Sequence, residues 1–170
     1  MNEFLKIPEN ESKNIKNLDE ILTVKLNLGG VEAGKSRKTL KIGSTKYYKR
    51  KSGQFIYGKQ NFFNGGFGII PSNLNGRVSS GDVPSFDILN IDKLFLLNLL
   101  SRKDYFKSKE RFSTGTGSKR IHEKTFLNFK VNSSNNIKEQ QKISKLIQKI
   151  SQLITANERN EKSDSFKITI

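Results

Sequence analysis

The chain contains no cysteine and no tryptophan, and it has a single histidine, His122. Without cysteine it has no disulfide and no thiolate metal site, which fits a reducing compartment. One histidine in a charged segment offers no metal set, and such a residue reads first as a surface or core side chain. No serine stands in a nucleophile-elbow motif. Ser113–Arg120 is rich in glycine and ends in two cations, but it lacks the G-x-x-x-x-G-K-[ST] spacing of a phosphate loop. Asp82 and Asp87 are neighbours in sequence, yet they fall around a turn, where aspartate is common. The expectation is a chain with no catalytic residue, no metal and no cofactor. Long apolar runs are absent too. The longest, Leu94–Leu100, is interrupted by Asn98 and is far shorter than a membrane span. Residues 1–13 hold no apolar core of the signal-peptide kind. These absences predict a soluble, cytoplasmic protein with no membrane partner.

What is abundant is positive charge. Thirty-one Lys and Arg face 16 Asp and Glu in 170 residues, a formal net charge of +15. Self-repulsion on that scale opposes compaction, and a polyanionic partner is its commonest purpose. A lysine-rich surface inherited from an AT-rich genome is the plainer explanation, and the many Lys, Asn, Ile and Ser residues fit it. The distribution favours the partner. Residues 25–59 carry Lys25, Lys35, Arg37, Lys38, Lys41, Lys46, Lys49, Arg50, Lys51 and Lys59 against Glu32 alone. Residues 102–130 carry Arg102, Lys103, Lys107, Lys109, Arg111, Lys119, Arg120, Lys124 and Lys130 against Asp104, Glu110 and Glu123. Between them, residues 60–100 have only Arg77 and Lys93 against Asp82, Asp87 and Asp92. Two basic blocks would meet on one face if the middle strands form the core. Tyr47, Tyr48 and Tyr57 interleave with the first block and are suited to bonding phosphate or stacking on a base. Asn64-Gly65-Gly66 and Thr114-Gly115-Thr116-Gly117 would let backbone amides approach a phosphate, and they read equally well as tight turns.

At 34% hydrophobic residues, twelve Phe and four Tyr must supply much of one modest core. Residues 1–20 are polar and read as a frayed lead-in, with a short helix near 17–22 capped by Asn17 and Glu20. Leu22, Val24, Leu26 and Leu28 alternate with polar residues, predicting a half-buried strand stopped by Gly29-Gly30. Residues 32–46 read as a basic hairpin or mobile loop. Short strands are expected at 55–57, 67–70, 77–79 and 85–88, with turns at 64–66 and 81–84. Residues 92–105 predict a helix capped by Asp92 and packed on the sheet. A glycine-rich loop follows at 113–120, then a strand or short helix at 125–131. Asn132–Asn136 reads as linker and cap, with Asn136 and Glu139 at capping-box spacing. The fold class expected is α+β: a twisted antiparallel or mixed sheet with packed helices, then a long C-terminal helix. The division expected is 1–131 for the main domain, 132–160 for the helical unit and 161–170 for a polar tail.

That last helix has the clearest periodicity. Ile143, Leu146, Ile147, Ile150, Leu153 and Ile154 form one apolar stripe over a helix expected at 137–157. Lys138, Lys142, Lys145 and Lys149 line a second stripe beside it. The apolar stripe is too hydrophobic to leave in water, so it pairs with a partner helix or packs on its own domain. Residues 158–170 are polar, with Phe166–Ile170 able to pair as a strand.

Five segments in order resemble the specificity subunit of type I restriction-modification systems. They are Lys46-Tyr-Tyr-Lys-Arg-Lys-Ser-Gly-Gln-Phe-Ile-Tyr, Asn64-Gly-Gly-Phe-Gly-Ile-Ile-Pro, Val78-Ser-Ser-Gly-Asp-Val-Pro-Ser-Phe-Asp-Ile, Gly115-Thr-Gly-Ser-Lys-Arg-Ile with Phe126-Leu-Asn, and Ile137-Lys-Glu-Gln-Gln-Lys-Ile. Together they span about residues 22–155. The resemblance implies one target recognition domain followed by a conserved helix, where the family has two such units in one chain. It implies double-stranded DNA and methyltransferase subunits as partners, a restriction subunit reached indirectly, and a second recognition half or second copy paired through the helix in an antiparallel coiled coil. The residues expected on DNA are Lys46, Tyr48, Lys49, Arg50, Lys51, Lys59, Asn64, Arg111, Thr114, Thr116, Ser118, Lys119 and Arg120. The chain departs from the family in having Asn132-Ser-Ser-Asn-Asn where prolines precede the helix, and Gly53-Gln-Phe-Ile-Tyr-Gly-Lys where the family has Asp and Ser. A small nucleic-acid-processing enzyme and a helix-mediated interaction module are the other readings of the residues.

Overall fold

Phe55-Ile56-Tyr57 places two rings on one face of a strand and an isoleucine on the other, because successive side chains of a strand point to opposite faces. All three are fully buried, so both faces of this strand are covered. It is the centre of the protein. The computed structural model describes residues 1–34 and 45–167. In chain order the elements are β1 (Leu5–Lys6), β2 (Leu22–Val24), β3 (Val31–Ala33), β4 (Tyr47–Lys49), β5 (Phe55–Tyr57), β6 (Phe67–Ile69), β7 (Val78–Ser80), β8 (Ser85–Ile88), α1 (Lys93–Leu100), α2 (Lys103–Ser108), α3 (Glu123–Leu127) and α4 (Ile137–Lys167), with short 3₁₀ turns between some of them. The main sheet runs β1-β8-β5-β6, antiparallel throughout. Two antiparallel ribbons, β2-β3 and β4-β7, flank it. This is the α+β architecture expected.

The core is built from rings. Phe126 of α3 lies over the sheet, with its ring centroid 4.5 Å from Tyr57, 5.1 Å from Phe62 and 5.5 Å from both Phe55 and Phe86. Phe67 carries the contact on to Phe106 of α2. On the other face Ile56 meets Leu22, Ile70 and Leu74.

Three expectations in this part of the chain need correction. Residues 1–20 are not a frayed lead-in: Met1, Leu5 and Ile15 are buried, and β1 pairs with β8. The short helical turn within that stretch is present at Leu18–Glu20, where the Glu20 carboxylate accepts the Lys16 and Asn17 amides. The strand expected through Leu28 ends at Val24 and turns back into β3. Asn27 and Leu28 adopt positive φ, and their amides donate to Asn64 and Gly65. A long-range contact thus overrides the alternation, and Leu26 and Leu28 are left exposed. The helix expected over 92–105 breaks after Leu100 because Arg102 is extended, and α2 restarts at a new angle that buries Phe106. Of the strand or short helix expected at 125–131, the short helix forms as α3, beginning two residues earlier and ending at Leu127.

The final helix runs on to Lys167, 31 residues or about 46 Å. Phe166 and Lys167 are therefore helical rather than part of a strand, and 168–170 lie outside the described residues. Asn136 caps α4 through the Lys138 and Glu139 amides, while Glu139 reaches the Ser134 hydroxyl instead of closing a reciprocal box. The base of α4 is pinned to α1 by a buried polar lock. The Asp92 amide donates to Gln140 Oε1 at 2.7 Å, and the Ser144 hydroxyl donates to Asp92 Oδ1 at 3.2 Å. Asp92 also caps α1 through the Phe95 amide.

Candidate nucleic-acid interface

The turn 81–84 between β7 and β8 joins the two basic blocks. β4 pairs with β7 in the register Tyr47↔Ser80, so Lys46 stands at the turn end of the ribbon. The Lys59 amide donates to the Asp82 carbonyl at 2.9 Å, and the Ile121 amide donates to the Lys59 carbonyl at 2.9 Å. The buried Tyr57 hydroxyl donates to the Ile121 carbonyl at 2.9 Å. Burial raises the Tyr57 pKa, so the phenol stays protonated as that donor. Arg120 Nε lies 3.5 Å from Asp82, and Lys59 pairs with Glu123 at 3.0 Å. The blocks meet because Lys59, just past β5, accepts the Ile121 amide before α3, and the Tyr57 hydroxyl of β5 donates to the Ile121 carbonyl.

From this junction the glycine-rich segment projects as a small hairpin. Thr114 and Arg120 exchange backbone hydrogen bonds at 2.9 and 2.8 Å, and residues 114–119 are exposed. Gly115 takes φ +113°, and a Cβ there would sit 2.6 Å from the Ser118 carbonyl oxygen. Among the described residues, the amides of 115–119 donate no backbone hydrogen bond. The tip therefore presents free N–H groups together with the Thr116 and Ser118 hydroxyls, beside Lys119 and Arg120. Lys119 is held by Glu110 at 2.8 Å, and the Arg111 guanidinium lies 4.8 Å from the Phe112 ring centroid. Cations, free amides and hydroxyls on one edge suit phosphate oxygens, with neighbouring side chains free to reach base edges.

The other expected residues are dispersed. Arg50 is buried at 2% exposure, donating to Ser79 Oγ at 2.7 Å, Asn10 Oδ1 at 3.1 Å and the Val83 carbonyl at 3.5 Å. Its guanidinium carbon lies 5.5 Å from the Tyr48 ring centroid. Burial lowers its pKa to about 10, and it stays protonated at neutral pH. Arg50 thus supports the turn from beneath rather than standing on the surface. Tyr48 is half-buried above it. Lys49 is exposed and paired with Glu11. Lys51 leaves the far end of the ribbon and lines a groove with Gln54, Asp87, Lys93 and Gln141, away from the turn. Asn64 is turned toward Lys107, and the amides of 64–66 are spent on Asn61 and Phe62. That segment is a tight turn whose glycines serve packing, not an amide cradle. Lys35, Arg37, Lys38 and Lys41, with the hairpin or mobile loop expected there, fall partly or wholly outside the described residues. Asp82 and Glu123 were not among the expected site residues; their acidic character hides that they orient Arg120 and Lys59.

Among the described residues, no group of three His, Cys, Asp or Glu side chains is placed to hold a metal ion. No helix among them is long and apolar enough to cross a membrane.

No family model and no curated protein matches the chain. Among solved structures it superposes on the crystal structure of an HsdS subunit from Thermoanaerobacter tengcongensis, with a TM-score of 0.67 at 14% identity, over 90% of this chain and 42% of that one. The two share a fold. The chain spans less than half the length of that subunit.

Proposed function

We propose that this protein reads DNA sequence as the specificity subunit, or as one recognition half of it, in a cytoplasmic type I restriction-modification complex, and that it performs no chemistry of its own. The observation that carries the reading is the junction at 81–84, where two basic blocks distant in sequence meet on a domain with the HsdS fold. Lys46, Arg111, Lys119 and Arg120 would neutralise phosphates and set register, and the tip of the 114–120 hairpin would approach base edges in the major groove. Lys59 and Arg50 hold that edge in place from behind. The apolar stripe of α4 would receive a further helix, in a second recognition half or in a methyltransferase subunit, so that two halves read a bipartite site. A restriction subunit would join through the methyltransferase.

The test is selection of bound duplexes from a random-sequence DNA library, with and without a methyltransferase subunit from the source strain. Enrichment of one short motif is expected. Recovery of unenriched DNA at all salt concentrations would overturn the reading, and divalent-metal-dependent cleavage of the library would favour a nuclease instead.

A further inference from the structure

Arg50 carries a buried charge that the fold does not neutralise. Its guanidinium has five N–H groups. Ser79 Oγ, Asn10 Oδ1 and the Val83 carbonyl accept three of them, and all three acceptors are uncharged. Among the described residues no carboxylate stands within ion-pair distance of it. The Glu123 carboxylate acts on it only from a distance, being paired with Lys59 at 3.0 Å. Burying a guanidinium in this way is costly unless an anion compensates it.

The charge borders a cavity. Asn10, Tyr48, Arg50, Lys59, Gly81 and Glu123 line a partly enclosed space of about 150 Å³ beneath the 81–84 turn. Asn10 gives its side-chain oxygen to Arg50, which leaves its amide N–H groups as donors. The Gly81 amide donates no backbone hydrogen bond among the described residues. The lining thus sets two cations against one carboxylate. Water would fill such a space but would leave the net charge standing. A small tetrahedral anion fits its size, and a guanidinium fork matches two oxygens of such an anion. A DNA phosphodiester carries a sugar on either side and needs an open groove. We infer that this cavity binds a free oxyanion of the phosphate or sulfate class, held by Arg50, Asn10 and Lys59. The bound anion would brace Arg50, and through the Val83 carbonyl the turn above it. This rests on the cavity and not on the DNA reading.

The test is the thermal melt of the full chain in inorganic phosphate against chloride, at matched pH and ionic strength so that screening of surface charge cancels. A site of about millimolar affinity in about 20 mM phosphate predicts a saturable rise in Tm of about 4–7 °C. Arg50→Gln and Lys59→Gln are expected to lose the rise. Lys51→Ala, in the groove away from the turn, is expected to keep it. Glu123→Gln removes the carboxylate that opposes the anion, so half-saturation should come at about tenfold lower phosphate. That gain reads the site even where Arg50→Gln fails to fold. Three results would overturn the inference. One is no rise over chloride. Another is an equal rise in wild type, Lys59→Gln and Glu123→Gln, which would mean that phosphate acts by exclusion from the surface. The third is competition between phosphate and duplex DNA at constant ionic strength, which would place the anion on the DNA edge. A DNA library without enrichment would leave this melt untouched, so the two readings fail separately.

Discussion

Truncating Phe126 to alanine removes the ring on which the sheet, the Phe62 turn and α3 converge. The side chain has no exposed surface and stacks on or tilts against Tyr57, Phe62, Phe55, Phe86 and Phe129, with centroids 4.5 to 5.8 Å away. Aromatic-to-alanine changes at such sites cost about 3–5 kcal/mol, from lost transfer energy and the cavity left behind. The neighbours here are themselves large rings fixed by the sheet, so collapse into the space is limited and the upper half of that range is expected. For a chain of this size each kcal/mol lowers Tm by about 2–4 °C, giving a fall of roughly 8–20 °C. Urea denaturation followed by Tyr fluorescence or far-UV circular dichroism measures it, with an unchanged m-value if the denatured state is unaffected. Phe112→Ala is the control. Phe112 is 41% exposed and pairs among the aromatics with Phe129, so a loss of less than about 1.5 kcal/mol is expected. If Phe126→Ala costs no more than Phe112→Ala, α3 does not close the core and the junction at Ile121 is not held as described.

Gly65→Ala is expected to destabilise by about 2 kcal/mol or more, because φ is +71° and a Cβ would sit 2.9 Å from the Leu28 amide nitrogen, whereas Gly117→Ala meets open space and should be neutral in a thermal melt. Arg50→Lys replaces a three-way fork by a point charge; a loss of about 2–3 kcal/mol is expected, with weakened DNA affinity through a loosened 81–84 turn and an unchanged salt slope. The Lys13 ammonium and the Lys16 and Asn17 amides hold the Glu20 carboxyl at a pKa of about 2, below its ordinary 4.5. A depressed carboxylate stabilises the fold above the unfolded value and loses that contribution as pH falls through the folded one. The Tm gap between wild type and Glu20→Gln should therefore be constant above about pH 5 and close between pH 4.5 and 2.

The strands β5 to β8 were legible in the sequence because their apolar residues alternate between strong turn signals. α4 was legible because its stripe repeats with helical period, although its polar second half concealed ten further residues of helix. What escaped was decided at long range. Nothing local to Leu26 and Leu28 announces that the Asn64-Gly65 turn will capture their backbone. The polar residues 1–20 bury only Met1, Leu5 and Ile15, too few for a pattern. For the candidate site, the charge blocks marked the right segments but not the individual side chains. Arg50 sits between two exposed lysines and looks like either of them, yet its fork is spent inside the protein. Asp82 and Glu123 subtract from the charge count while placing the cations that matter. The partner side of Lys51 and Asn64 is set by strand direction and by packing, which residue type does not encode.

The most direct test of the central claim is the salt dependence of duplex DNA binding, wild type against surface variants. Each phosphate contact removed should shallow the slope of log K against log salt by about 0.9. Lys46→Ala, Lys119→Ala and Arg120→Ala are expected each to lower affinity and to shallow the slope, while Lys51→Ala, in the groove with Asp87 and Gln141, should leave both unchanged. Equal effects from all four would mean that the charge acts without a face and would contradict the interface described here.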